Sequence, residues 1–284
     1  MSDKVWTSLE LVRWTADYFR RSGIPSPRLD AELLLAHALG RSRLDLYLEF
    51  ERPVPAAERT RFRELVKRRA EERAPVAYLT GVREFWSLTF RVTPDVLIPR
   101  PETETLVRVA VELAPERIVE VGTGSGCVSA AIAKELPRTR ILAVDSSCAA
   151  LAVARENLAA HDLACRVELM HGDGLAGVDG SFDAIICNPP YIPSAELAEL
   201  PAEVRHEPRV ALDGGPDGLD FVRQFIDEAP DRLARPGWLA LEVGCGQARS
   251  TEELLRARGA LRSDIHKDLA GIERVVAAQF GEGG

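Results

Sequence analysis

The chain has 284 residues, 46% of them apolar, and a formal net charge of -8; this is enough to bury a sizeable core divided between two domains. No stretch approaches the roughly 18 consecutive apolar residues of a membrane span, and no cationic, hydrophobic leader precedes Trp6. The five cysteines, Cys127, Cys148, Cys165, Cys187 and Cys245, form no C-x-x-C pair, which argues against zinc and predicts reduced core thiols in a cytoplasmic protein.

The first part of the chain reads as helical. Thr7 with Glu10 makes a T-x-x-E capping box, predicting a helix to about Arg21 that stops before Gly23. Ser26-Pro27 places a cap and then proline at the first helical position, and Gly40 closes this second helix. Within it Leu29, Leu33 and Ala36, with Leu34 and His37, recur at helical spacing and are expected to face a small bundle core, His37 at its rim. A short helix near Leu44 to Leu48 and a longer one from Ala56 to Arg73 complete the bundle, and Pro75 ends it. The basic stretch Arg59 to Arg73 reads as a solvated helix face. Residues Val82 to Val92 alternate as a hairpin does. The expected divisions are a helical domain at 1–75, a hairpin linker at 76–97 and a catalytic domain at 98–284.

Charge follows the same division. Up to Pro75 there are 15 basic and 12 acidic residues, against 21 and 32 in the remainder. An acidic second part argues against long contacts along a nucleic-acid backbone, where each phosphate contact calls for Lys or Arg.

After a helix from Arg100-Pro101-Glu102-Thr103-Glu104 to Leu113, the strand-like Arg117 to Val121 runs into Gly122-Thr123-Gly124-Ser125-Gly126 and then the helix-like Cys127 to Leu136. Strand, glycine loop and helix let a ligand approach the backbone at a helix N-terminus. Cys127 stands where the dinucleotide fingerprint wants its third glycine, and no Gly-Lys-Ser or Gly-Lys-Thr follows, so neither a nicotinamide site nor a P-loop is indicated. The strand Ile141 to Val144 ends at Asp145, where a carboxylate can bind both hydroxyls of a ribose; the competing role is a helix N-cap. A third strand, Arg166 to Met170, leads to Gly172-Asp173-Gly174, whose carboxylate is either an adenine-edge acceptor or a turn aspartate.

The apolar strand Phe182 to Cys187 is capped by Asn188-Pro189-Pro190-Tyr191. Each proline lacks a backbone donor and biases the residue before it toward extended geometry. The turn is therefore stiff and rich in acceptors, suited to gripping a planar NH2 group by its two hydrogens, whether on a carboxamide, an adenine or a cytosine. Beyond it, a helix from Gly218 to Leu233, a strand from Trp238 to Val243, a plain turn at Gly244-Cys245-Gly246, a helix from Ser250 to Arg258 and two strands complete the domain, and Gly281 to Gly284 read as a frayed end.

The order of glycine loop, ribose acid, adenine-edge acid and Asn-Pro-Pro-Tyr resembles S-adenosylmethionine-dependent methyltransferases that alkylate a planar amino nitrogen. Further stretches resemble one family, the peptide chain release factor glutamine methyltransferases. They are Arg28 to Leu35, Pro75 to Gly81 with Phe85-Trp86, Leu97 to Glu104, Arg205-His206-Glu207-Pro208 and His266 to Arg274, and together they cover nearly the whole chain. The resemblance implies a Rossmann-like α/β methyltransferase domain with a mostly parallel seven-stranded sheet and a small N-terminal helical bundle. It implies N5-methylation of the glutamine in the Gly-Gly-Gln motif of release factors, modulating translation termination, with S-adenosylmethionine as donor and no metal. Release factors would be the partners of a monomer needing neither membrane nor direct nucleic-acid contact.

Carried onto this sequence, Gly122, Thr123, Gly124, Ser125 and Gly126 would hold the methionine part of the donor, Asp145 its ribose, and Asp173 and Gly174 the adenine edge. Asn188, Pro189, Pro190 and Tyr191 would receive the target amide, with Asn188, Pro189 and Tyr191 catalytic and Asn188 also touching the donor. Tyr191 would pack on the amide plane. Gly174 stands where relatives place a large aromatic, leaving Leu175 as the expected adenine support. The other readings are an N6-adenine methyltransferase acting on nucleic acid and a non-catalytic S-adenosylmethionine-binding regulator.

Overall fold

The capping box at Thr7 forms, its side chain accepting from the Glu10 amide while Glu10 accepts from the Thr7 amide, and it opens α1 (Ser8–Arg21). In the computed structural model, which describes residues 5–281, this helix belongs to one of two units, comprising residues up to Gly81 together with Pro201–His206. The unit continues with α2 (Pro27–Leu39), α3 (Arg43–Leu48), α4 (Ala56–Glu71) and α5 (Val76–Thr80). Proline opens α2 as expected, although Ser26 makes no side-chain cap, and Gly40 closes it in the left-handed conformation.

The core-facing side of α2 differs from the expected one. Of the expected residues Leu34 and Ala36 are buried and Leu33 is half-buried, but Leu29 is 42% exposed and His37 is exposed; Ala31, Leu35 and Ala38 are buried as well. Leucines fill much of this helix, so two stripes satisfy helical spacing. Packing against α1 and α4 selects the one that meets Phe19, Phe62 and Val66. Pro75 does not end the bundle but caps α5, whose Leu79 joins the same core.

The buried Arg69 of this unit is paired. Arg69, 5% exposed, donates to Asp30 at 2.8 Å and to Glu203 at 2.9 Å, and Arg73 lies 2.8 Å from Glu203. Asp30 is pushed above its ordinary range by burial, against the pull of Arg69.

The second unit comprises Val82–Leu200 and the residues from Glu207 onward. It begins with a hairpin, β1 (Val82–Phe85) and β2 (Leu88–Arg91), in which Trp86 and Ser87 both take positive φ. Such a pair is a two-residue turn whose twist matches the strands. Phe85, Leu88 and Phe90 enter the core of this unit, and buried Asn157 accepts from the Arg91 amide at 2.7 Å while donating to the Ser125 carbonyl at 2.8 Å. The hairpin therefore belongs to the catalytic unit, and the contact division falls at Gly81 and Val82, between the boundaries at 75 and 97 that the sequence suggests.

Helices α6 (Glu104–Leu113), α7 (Cys127–Glu135), α8 (Cys148–Ala160), α9 (Asp220–Glu228) and α10 (Ala248–Ala257) accompany β3 (Arg117–Val121), β4 (Arg140–Asp145), β5 (Val167–His171), β6 (Phe182–Cys187), β7 (Leu233–Glu242), β8 (Arg262–Lys267) and β9 (Glu273–Phe280). The sheet order is β5-β4-β3-β6-β7-β9-β8, parallel from β5 to β7 and antiparallel where β9 joins β7 and β8. This is the mixed α/β architecture with seven strands that the resemblance implies. Strand β7 starts five residues earlier than Trp238, with an irregular register where Phe182 and Ala184 meet Leu233 and Trp238. Apolar clusters fill the space about the sheet. Strand order reverses between β3 and β6, and in open α/β sheets ligands bind outside the carboxyl ends of the strands at such a switch point.

Residues 282–284, part of the end expected to fray, lie outside the described residues. Among the described residues no helix is long and apolar enough to cross a membrane.

Candidate active site at the strand switch point

Register brings the two principal motifs together. Val121 pairs with Cys187 and with Val144, so Gly122, Asn188 and Asp145 leave the carboxyl edge of the sheet side by side, although 66 residues separate the first two. Sequence order alone does not predict this proximity; the parallel pairing of β3 with β6 creates it.

The glycine loop is shaped by its neighbours. Gly122 and Thr123 both donate to the Val144 carbonyl, at 2.8 and 3.1 Å, and the Gly124 amide donates to Asp145 Oδ2 at 2.8 Å. Gly126 has a φ of +77°, and a Cβ there would lie 3.2 Å from the Ala154 side chain. The loop thus combines a left-handed residue with a close approach of α8, and a larger residue strains both. Beneath it, the buried Glu120 Oε2 accepts from the Thr123 hydroxyl at 2.9 Å and from the amide and hydroxyl of Ser129. Burial nevertheless pushes Glu120 up to about 7, those donors opposing it.

Asp145 is half-buried, and its Oδ1 accepts from the Ser147 amide at 2.9 Å. The N-cap of α8 is Ser147, which accepts from Ala150. Asp145 is thereby relieved of the capping role, and each of its oxygens keeps acceptor capacity.

The Asn188 turn is held from several sides. Pro189 is buried, and the Asn188 amide donates to the Thr103 hydroxyl at 3.3 Å. Gln247 donates to the Tyr191 carbonyl at 2.9 Å and accepts from the Gly244 amide at 2.9 Å. A Cβ at Gly244 would lie 3.1 Å from the Tyr191 ring, and one at Gly218 would lie 2.3 Å from the Tyr191 carbonyl. The Gly244 to Gly246 turn is thus more than a strand-to-helix connection, because it forms the seat of Tyr191. Burial pushes the Tyr191 hydroxyl up to about 12, with Glu242 acting in the same direction.

These elements enclose a cavity of about 600 Å3 lined by Gly122 to Ser125, Asp145, Asp173, Gly174, Asn188, Pro189 and Pro190, with apolar walls from Val96, Leu97, Val128 and Phe221. Acceptor, exposed backbone and apolar wall in this combination suit a nucleoside carrying a charged tail. Of the residues named from sequence, Gly126 stands behind the cavity against Ala154 and Tyr191 lies outside its lining. Tyr191 anchors the turn against Gly244, a different contact from the expected one with the amide plane. Leu175 is 3% exposed and packs into the core, so it offers no face to adenine. Val96, Leu97 and Phe221 do line the cavity.

Two family models match the chain, the PrmC N-terminal domain over residues 10–81 and the methyltransferase small domain over residues 101–202. The release factor glutamine methyltransferase of Rhodopirellula baltica is 44% identical, the match covering 98% of each chain. That of Geobacter sulfurreducens is 42% identical over 98% of each, and that of Moorella thermoacetica 47% identical over 90% of this chain and 92% of the relative. The chain belongs to the release factor glutamine methyltransferase family. Among solved structures, the hMettl16 catalytic domain aligns with a TM-score of 0.57 at 16% identity, covering 82% of this chain and 86% of that one. A methyltransferase from Pyrococcus furiosus aligns with a TM-score of 0.52 at 20% identity, covering 69% and 90%. Both speak for the fold.

In this member of the family, several site residues escape sequence reasoning. Glu207, 6% exposed, accepts from the Ile98 amide at 3.0 Å and from Arg100 at 2.5 Å, fixing the Leu97 to Arg100 wall. Thr103 and Phe221 line the cavity without a local signal for that role. The cysteines divide: Cys127 and Cys187 are buried, with thiols pushed up by burial, while Cys148, Cys165 and Cys245 are exposed. The latter three are thus not core residues, because each falls at a helix start or in a turn. Among the described residues no group of three or more His, Cys, Asp or Glu is placed to hold a metal ion.

Proposed function

We propose that this chain methylates the side-chain amide nitrogen, N5, of the glutamine in the Gly-Gly-Gln motif of peptide chain release factors, using S-adenosylmethionine. The observation that carries the reading is the pairing of β3 with β6, which sets a nucleoside-sized cavity beside an acceptor-rich Asn-Pro-Pro-Tyr turn in a chain belonging to this family.

The donor fits the cavity through Asp145 at the ribose, the loop Gly122 to Ser125 at the methionine part, and Asp173 with Gly174 at the adenine edge. Bound there, S-adenosylmethionine supplies an electrophilic methyl group on a sulfonium. The chain supplies the rest. A carboxamide nitrogen is a poor nucleophile because its lone pair is delocalised into the carbonyl. As the N–C bond forms and the methyl's bond to sulfur breaks, releasing S-adenosylhomocysteine, positive charge grows on the NH2 group, and the Asn188 side-chain oxygen and the Pro189 carbonyl bind it more tightly than they bind the neutral amide. The proton then leaves to solvent. The rigid prolines and the seat of Tyr191 hold these acceptors in place, and displacement in line tolerates little misplacement.

The helical unit serves recognition of the protein substrate. Support comes from a groove lined by Trp6, Trp14, Tyr18, Arg59, Arg63 and Lys67, where Trp14 is 51% exposed and stacks on Tyr18 at 5.7 Å. In this reading the protein acts as a cytoplasmic monomer, with no direct contact to nucleic acid. Mass spectrometry of a release factor incubated with the chain and donor tests the function. One added methyl on the Gly-Gly-Gln glutamine is expected; transfer to DNA or RNA in its place would replace this reading with the adenine one.

A further inference from the structure

The loops that leave the carboxyl edge of the sheet follow the order of their strands, Asp173 after β5, Asp145 after β4, Gly122 after β3 and Asn188 after β6. Neighbouring strands stand about 4.8 Å apart, so the two acids proposed for the nucleoside occupy one end of this row and Gly122 with Asn188 the other. Arg100 belongs to the second end. Its carbonyl accepts from the Thr103 amide at 3.1 Å, the Thr103 hydroxyl accepts from Asn188 at 3.3 Å, and a Cβ at Gly122 would lie 4.0 Å from the Asn188 carbonyl.

The charge of the cavity opposes any ligand group that is anionic. Its lining includes Asp95, Glu120, Asp145, Asp173 and Asp213, against the cations Arg100 and Arg209. Arg209 is already paired. Its Nε and Nη2 both donate to Asp213, at 3.1 and 3.0 Å, and its side chain is 76% exposed. The Arg100 side chain is 28% exposed and gives only Nη2 to a partner, Glu207 Oε1 at 2.5 Å. Glu207, whose side chain is 2% exposed, is itself fixed by the Ile98 amide at 3.0 Å. A guanidinium presents five N–H donors in a rigid fork, so Nε and Nη1 of Arg100 keep theirs, with no partner among the described residues.

We infer that Arg100 binds the α-carboxylate in the methionine part of the donor and that the buried Glu207 holds its guanidinium in place for this. The inference rests on S-adenosylmethionine being the donor. The acids of the cavity complement its sulfonium and ammonium groups, and Arg100 complements its one anionic group. Glu207 occupies one nitrogen of the fork and leaves the others to the ligand.

The test is the calorimetric affinity of the full chain for S-adenosylmethionine and for its decarboxylated analogue, which keeps adenine, ribose, sulfonium and ammonium. Wild type is expected to bind the analogue at least about tenfold more weakly, as for one hydrogen bond to a charged group. Arg100→Met is expected to lose that factor for S-adenosylmethionine and to lose nothing for the analogue, so the preference disappears. Arg209→Met, which removes an equal charge from the same cavity, leaves both affinities at their wild-type values. Equal binding of the two ligands by wild type, an equal fall for both in Arg100→Met, or a loss in Arg209→Met as large as that in Arg100→Met would overturn the inference. Removing Arg100 strands a buried carboxylate; should that variant fail to fold, the double variant Arg100→Met with Glu207→Gln and the wild-type comparison decide. Donor binding without methylation of a release factor would remove the function proposed above and leave this inference standing. A wild type that binds neither ligand removes both.

Discussion

At the scale of single residues, the proposed reaction divides labour between Asn188 and Asp145, and their substitutions separate chemistry from binding. Asn188→Ala removes an acceptor whose partner becomes charged only as the reaction proceeds. Turnover is expected to fall on the order of 100-fold while donor affinity stays nearly normal; steady-state kinetics showing unaltered kcat would dismiss the catalytic role. Asp145→Ala removes the carboxylate proposed to bind the ribose, which also holds the Gly124 amide. Donor affinity is expected to fall by at least about tenfold, the equivalent of one good hydrogen bond to a charged group. A calorimetric titration matching wild type would refute the ribose assignment. Tyr191 belongs with the supports at this scale. Its ring sits on Gly244, so its contribution is the stiffness of the turn that carries Asn188.

Among elements, the buried ions of the helical unit make the sharpest case. Arg69 on α4 satisfies Asp30 on α2 and Glu203 on the segment Pro201–His206. Removing one member of a buried pair leaves an uncompensated charge, which costs more than the pair contributes. Arg69→Ala is expected to destabilise the chain by about 3–5 kcal/mol, measured by denaturant unfolding. The double substitution Arg69→Met with Asp30→Leu should recover much of that loss, since it removes the charges on both sides. A loss under about 1 kcal/mol for Arg69→Ala, the worth of an exposed pair, would show that the network carries no such burden. The hairpin makes the complementary point. Its aromatic residues fill the core of the catalytic unit, and Asn157 ties Arg91 to the same helix that backs the glycine loop.

For the whole molecule, burial of carboxyl groups sets a pH dependence of stability. Glu120 and Glu242 are both raised from 4.5 to about 7, burial being the largest cause in each. The native state therefore holds more protons at these groups than the unfolded chain does between those values. The stability they contribute is complete below the unfolded value and is lost as pH rises through about 7. Glu120→Gln removes one such titration while keeping the shape of the side chain. Its melting temperature, set against wild type from about pH 5 to about pH 8, should gain relative to wild type as pH rises. A constant difference across the range would show that Glu120 is ionised throughout, held so by Thr123 and Ser129.

Much of this protein was legible in one dimension. Helix caps, glycine turns and apolar runs are local, and so the capping box at Thr7, the strand Phe182–Cys187 and the stiffness of Asn188 to Tyr191 follow from neighbours within a few residues. Motif order, supported by the family resemblance, indicated donor and acceptor alike. Tertiary packing decided the rest. It chose which leucine stripe of α2 faces the core, because two stripes satisfied the same spacing. It placed Leu175 in the core and Phe221 at the cavity wall, because a residue's exposure depends on what arrives from elsewhere in the chain. It also brought Thr103 to the Asn188 amide, a contact between segments 85 residues apart that no local pattern encodes.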